Sequence, residues 1–211
     1  MSTHHPTPTS TDPIRLHVAV ALIILVWLAY TALDLLGPGD PLMMVLGFIP
    51  GMIGLVILRA AGFTREECYL RAASISKAGL LALSGVMLLL IPILLFGTWL
   101  GWSWLAVLVY APASGISQEL FFRSTLLPAF MKAFKPRVWL AVSAQAALFV
   151  AWHLRMFTQG APLPLVASVL FLAGLGWGWQ VQRDRTVVWA MAQHSLFLMG
   201  MALFAFGPVQ S

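Results

Sequence analysis

Cysteine is nearly missing: Cys68 is the only one in 211 residues, so neither an intrachain disulfide nor a Cys-based metal cluster can form. Charge is almost as scarce. Lys, Arg, Asp and Glu together make up 9% of the chain, against roughly a quarter in an ordinary soluble domain. The first fourteen residues, MSTHHPTPTSTDPI, contain no basic run leading into a short apolar core and no small-residue cleavage site. That argues against a signal peptide and predicts a disordered tail over 1–14.

What remains is apolar: 60% of the chain is hydrophobic. A bilayer crossing needs about 20 such residues, and seven stretches qualify, near 16–36, 42–58, 80–100, 103–127, 138–154, 162–182 and 187–206. The expected fold is therefore all-α, a polytopic transmembrane helical bundle of about seven spans formed by a single domain over 15–211. The basic residues agree with that count. With the N-terminus inside, Arg15, Arg59, Arg65, Arg71, Lys77, Lys132, Lys135, Arg137, Arg183 and Arg185 face the cytoplasm, as does Arg123 if it belongs to the inner half, and only Arg155 falls outside. Trp99, Trp102 and Trp104 mark the outer interface, and Trp139 and Trp189 the inner one. The formal charge of +5 follows from this sidedness, so the expected partner is the lipid bilayer and not nucleic acid.

One sizeable polar insertion, at 59–79, interrupts the apolar pattern. Thr64 and Glu67 are spaced as a capping box, which predicts a short amphipathic helix on the cytoplasmic surface. The run GLGWGW at 174–179 has no strand before it, as a nucleotide loop would need; Gly174 and Gly178 are spaced for close helix packing in lipid.

An ionisable group at bilayer depth costs on the order of 2.5–3.5 kcal/mol, so each one calls for a partner or a purpose. The deep set is Glu119, Arg123, His153 and His194; Asp34 lies close enough to an interface to be solvated. Glu119 and Arg123 stand four residues apart with the acid first, the favourable order for a helical ion pair, and a purely structural pair is one reading of them. A single interior histidine is ordinarily hydrogen-bonded core. Four such groups from three helices, however, can converge on one cavity. At 1.5 Å per residue, Glu119 and His153 each lie ~24 Å from the basic turn between them, hence level with one another. His194 meets them only if the last turn dips inward or the 132–137 hairpin projects.

Chemistry narrows the classes. HExxH is absent, so a zincin is excluded. Ser114 and Ser117 lack the glycine pattern of a nucleophile elbow, and two deep aspartates for a dyad are lacking. A carboxylate with histidines remains, a set able to polarise water toward a peptide carbonyl, with the oxyanion held by donors on a neighbouring helix. No metal or other cofactor is required.

The segments QELFFRSTLLPAF (118–130), ALFVAWH (147–153) and QHSLF (193–197) resemble the three motifs of the CAAX-prenyl-protease and bacteriocin-processing (CPBP, Abi-type) family of intramembrane glutamic proteases, EExxxR, FxxxH and HxxxN, over roughly residues 80–206. The resemblance implies intramembrane proteolysis of a membrane-associated protein or peptide, in a compact form of the bacterial kind that places it in the cytoplasmic (inner) membrane. It also implies catalytic roles. Glu119 and His153 become the water-activating pair, His194 an oxyanion or orienting donor, Arg123 the partner fixing Glu119, and Gln118 a group orienting water or substrate.

FxxxH matches in full at Phe149 and His153. Two positions depart: Gln118 stands where the family has its first Glu, and an amide is no general base, while Leu198 stands where the third motif has Asn. A catalytically silent homologue acting as a membrane binding or immunity factor is the alternative. EExxxR is matched letter for letter at Glu66 to Arg71, but no FxxxH follows at a comparable distance and the surroundings are interfacial. The imperfect motif at 118–123 is the expected site.

Overall fold

The computed structural model describes residues 12–37, 46–73 and 77–205. Most of the described chain is helical. Helix α1 (Pro13–Leu36) is started by Asp12, whose side chain accepts from the Ile14 N–H at 3.0 Å, with Pro13 at the first helical position where its missing N–H costs nothing. The expected tail is thus too long by two residues: Pro13 and Ile14 belong to the helix, and residues 1–11 lie outside those described. Helices α2 (Phe48–Ala60) and α3 (Lys77–Phe96) follow.

The centre of the molecule is a continuous helical rod over 104–133 that changes gauge twice. Its α-helical parts are α4 (Ala111–Phe121) and α5 (Leu127–Ala133), and π-turns occupy Ala106–Tyr110 and Phe122–Leu126. Prolines account for both π-turns. Pro112 and Pro128 each lack an N–H, and each ring crowds the carbonyl four residues back. Those carbonyls belong to Leu108 and Ser124, the middle residues of the two π-turns. Widening the helix there relieves the crowding without breaking the rod.

Beyond the turn at 134–137 come α6 (Val138–Trp152), the short α7 (Leu154–Thr158), α8 (Leu163–Asp184) and α9 (Val188–Leu203). A two-residue antiparallel pairing, β1 (Thr98–Trp99) with β2 (Phe204–Ala205), ties the end of α3 to the end of α9. The closest pairings are α9 on α4 and α6 on α8. In the first, a Cβ at Gly115 would stand 2.7 Å from the Ser195 nitrogen. In the second, Gly174 meets Ala146 and Gly178 meets Gln145 and Val142, the packing role expected of the GLGWGW run.

The core is apolar, but burial departs from that of a soluble protein in two ways. Leu25, Leu28, Leu33, Leu163, Leu165 and Leu172 are exposed, while Arg123 is the largest fully buried side chain and Glu119, Gln145 and His194 are buried with it. Apolar surface outside and charge inside suit a lipid surround. Each of the seven apolar stretches corresponds to a helix over its described residues, with 42–45 and 206 outside those described. Helix length alone supports fewer crossings than expected. Among the described residues, Pro13–Leu36 and Leu163–Asp184 are individually long and apolar enough, while Phe48–Ala60, Val138–Trp152 and Val188–Leu203 are apolar but shorter. The seven-span scheme therefore remains an expectation: hydropathy runs through the turns and caps at which these helices stop.

The polar insertion differs from expectation as well. Its capping box forms, the Thr64 N–H donating to Glu67 Oε2 at 2.8 Å and the Glu67 N–H to Thr64 Oγ1 at 3.2 Å. Yet residues 61–73 make turns and no helix; residues 74–76 lie outside those described. Tertiary bonds take up the backbone instead. The Val187 N–H donates to the Tyr69 carbonyl at 3.1 Å, Thr186 Oγ1 to the Arg71 carbonyl at 2.7 Å, and Arg59 Nη1 to the Phe63 carbonyl at 2.6 Å. Arg155 lies at the other end of the bundle, donating to the Asp34 and Gly37 carbonyls at 2.6 Å each.

Candidate active site

Residues 118 to 123 lie where α4 gives way to the second π-turn, on the face that α9 and α6 cover. Glu119 is wholly buried and holds two partners. Its Oε2 lies 3.1 Å from Arg123 Nε, and its Oε1 accepts from His194 Nδ1 at 2.8 Å. The i, i+4 pair read from the sequence is therefore real, and the third helix supplies its imidazole. Gly115 makes that contact possible: without a side chain there, α4 and α9 approach closely enough for a carboxylate on one to reach a ring on the other.

Arg123 lies among aromatic rings. Its guanidinium carbon is 4.6 Å from the centroid of Phe149, 5.5 Å from Trp177 and 5.8 Å from Phe122. Ring faces stabilise a desolvated cation, and its Nη1 and Nη2 have no hydrogen-bond partner among the described residues. Phe149 connects the motifs. Its ring is 4.8 Å from that of His153 and 5.9 Å from that of His194. Trp177, which the sequence reading did not single out as a site residue, stacks on His194 at 4.5 Å and donates from Nε1 to Gln193 Oε1 at 2.9 Å. Its signal was present in the sequence, since a tryptophan between Gly174 and Gly178 on a closely packed helix has to face a neighbour.

His153 caps the end of α6 and is half-buried; its Nδ1 donates to the Phe149 carbonyl at 2.8 Å. A carbonyl can only accept, and so can a carboxylate. Both His153 and His194 thus carry their proton on Nδ1 when neutral, leaving Nε2 as the free acceptor on each ring. Gln118 Nε2 donates to Ser114 Oγ at 2.9 Å, while its buried Oε1 has no hydrogen-bond partner among the described residues. Ser114 also lines an apolar cavity of about 380 Å³ with Tyr110, Leu198 and Met201. Of the two departures from the family motifs, Leu198 lines this cavity and Gln118 bonds Ser114, which lines it. Ser117 donates to the Ser114 carbonyl at 3.0 Å, which occupies its hydroxyl proton.

The perfect EExxxR at 66–71 lies far from this centre and does other work. Glu67 bonds Thr64 and pairs with Lys132 at 2.8 Å. Burial alone would raise its carboxyl, but the Lys132 hydrogen bond, the Thr64 N–H and the charges of Lys132 and Lys135 together hold it below its ordinary value.

A helical protein that turns leucines outward and keeps a carboxylate, a guanidinium and an imidazole in contact inside is a membrane protein with an interior polar site. Its residues 100–199, which contain all three motif segments, match the family described as Rce1-like, Type II CAAX prenyl endopeptidase Rce1-like, and so bear out the resemblance read from those segments. No curated protein and no solved structure matches the chain.

Proposed function

We propose that this protein is an intramembrane endopeptidase that hydrolyses a peptide bond in a membrane-associated protein or peptide with an imidazole-activated water. The observation that carries the reading is the Glu119 carboxylate bridging Arg123 and His194 inside the Rce1-like segment. His153 Nε2 takes the proton of the water as the hydroxyl oxygen bonds to the peptide carbonyl carbon. The carbonyl electron pair moves onto oxygen; on collapse the C–N bond breaks and the proton passes to the leaving amine.

Glu119, ion-paired with Arg123 and hydrogen-bonded to His194, contributes through its partners. Its charge fixes the tautomer of His194 and favours positive charge at the site, and Arg123 holds it in place. His194 orients the water or the developing oxyanion, and Gln118 positions water or substrate with its free carbonyl oxygen. The 380 Å³ cavity beside Ser114 is the approach for an apolar substrate segment. The same reading puts the protein in the bacterial cytoplasmic membrane with its N-terminus cytoplasmic.

The test is reconstitution in liposomes with membrane-anchored peptide reporters. The native chain should cleave at least one reporter; His153→Ala should slow cleavage by at least about 10²-fold, the loss typical of acid–base catalysis, and Glu119→Gln, which deletes the charge that holds His194 and Arg123, should slow it as well. Gln118→Glu should change the rate only modestly. Full activity in Glu119→Gln would remove Glu119 from the machinery. A native chain that is inert until Gln118→Glu restores cleavage would establish the silent homologue instead.

A further inference from the structure

Opposite the Arg155 end, the bundle opens into a second cavity of about 240 Å³, lined by Phe63, Glu67, Tyr69, Lys132, Lys135 and Arg185 with apolar neighbours. We propose that it binds the phosphate headgroup of an anionic phospholipid in the adjoining leaflet.

Three cations face one carboxylate there. Glu67 is already taken by Lys132 at 2.8 Å and by the Thr64 N–H at 2.8 Å. Lys135 and Arg185 are exposed, and neither is ion-paired among the described residues. Three cations thus stand beside a cavity whose one lining carboxylate is already ion-paired with Lys132. Aromatic rings back two of the three cations. Lys132 Nζ sits 3.8 Å above the Phe63 ring, and the Arg185 guanidinium lies 5.1 Å from the Tyr69 centroid. The Tyr69 hydroxyl donates to Gln182, which fixes that ring.

Position selects a lipid over a soluble anion. The cavity lies between the end of α5, the start of α6 and the link after α8, at the ends of apolar helices where headgroups lie. Val138 on its wall is followed by Trp139, 62% exposed, so the cationic cavity runs into apolar surface on which an acyl chain can lie. Basic pockets between membrane helices suit anionic headgroups. The volume admits a phosphodiester headgroup and falls below the ~300–1,000 Å³ of drug-sized sites.

Titration of the full chain in detergent, followed by native mass spectrometry, tests this with dioleoylphosphatidylglycerol, dioleoylphosphatidylcholine and inorganic phosphate. Phosphatidylglycerol should bind at least about tenfold more tightly than phosphatidylcholine. Lys135→Gln and Arg185→Gln should each weaken it by about fivefold, the interfacial worth of one cation. Arg65→Gln, which removes an exposed cation of the 61–73 loop that does not line the cavity, should leave it unchanged. Thermal melts check folding, and if Arg185→Gln fails to fold, Lys135→Gln alone decides. Equal binding of the two lipids, or equal loss on Arg65→Gln, would overturn the proposal. So would phosphate binding that depends on Lys135 and Arg185 while phosphatidylglycerol does not bind, since the site would then serve a soluble anion.

Discussion

Arg123 and Glu119 neutralise each other where water does not reach, so their energetics are those of a buried pair and not of a surface salt bridge. Removing one partner leaves the other charge stranded, a loss of ~3–5 kcal/mol, whereas replacing both with apolar groups of similar volume is far milder. Arg123→Met should therefore lower the thermal midpoint in detergent by more than Glu119→Leu with Arg123→Met does. Equal midpoints would mean that the two charges are not coupled. Cys68 offers a second test. Burial, with the Glu67 charge beside it, pushes its thiol up to about 11. Since the thiolate is the reactive species, a maleimide at pH 8 should leave the folded protein unlabelled and label it after denaturation. The sequence made Glu119, Arg123, His153 and His194 visible because charge at bilayer depth is rare enough to stand out. It left Trp177 unmarked as a site residue, because an aromatic in an apolar helix is the commonest thing there: its place between two packing glycines points to a neighbour but does not say that the neighbour is His194.

Helix packing decides whether those side chains can meet at all. A Cβ at Gly115 would stand 2.7, 2.8 and 2.9 Å from Ser195 N, Oγ and Cα, two of them backbone atoms that cannot rotate away. Gly115→Ala should force α4 and α9 apart, destabilising by roughly 1–3 kcal/mol as overpacking does. The Glu119 to His194 bond crosses the same interface, so activity should fall with it. Gly176→Ala is the control. Its Cβ would meet nothing within 4 Å, and better helix propensity should stabilise by up to ~1 kcal/mol. Comparing the two variants by melting midpoint and by reporter cleavage separates close approach from a general intolerance of alanine. Some of this architecture was readable beforehand. Gly174 and Gly178 announced close packing, whereas the widening of the rod before Pro112 and Pro128 was not read from the sequence. The capping box at Thr64 and Glu67 announced a helix that did not form. Its two reciprocal bonds close a turn, and the chain then leaves for tertiary partners on the 185–187 link, which no local pattern encodes.

Sidedness belongs to the molecule entire. Arg59 bonds the loop that Glu67 joins to Lys132, and the same loop bonds the 185–187 link, so basic residues scattered along the sequence gather at one end. Arg155, the one exception in the charge count, bonds the Asp34 and Gly37 carbonyls at the other. The exposed Trp99, Trp102 and Trp104 stand with the β1–β2 pairing that joins the ends of α3 and α9. Because positive residues stay on the cytoplasmic side, the basic end should face the cytoplasm and the tryptophan end the outside. The shorter helices, Phe48–Ala60 among them, are where the scheme is most exposed to failure, since a 13-residue helix spans only ~20 Å. Paired reporters address that helix directly. An alkaline phosphatase fusion after residue 40 should be active and one after residue 78 inactive, with a cytoplasm-active reporter giving the reverse. Should both fusion points report the same side, α2 does not cross the bilayer, every later element changes sides, and the cationic cavity would face the outer leaflet.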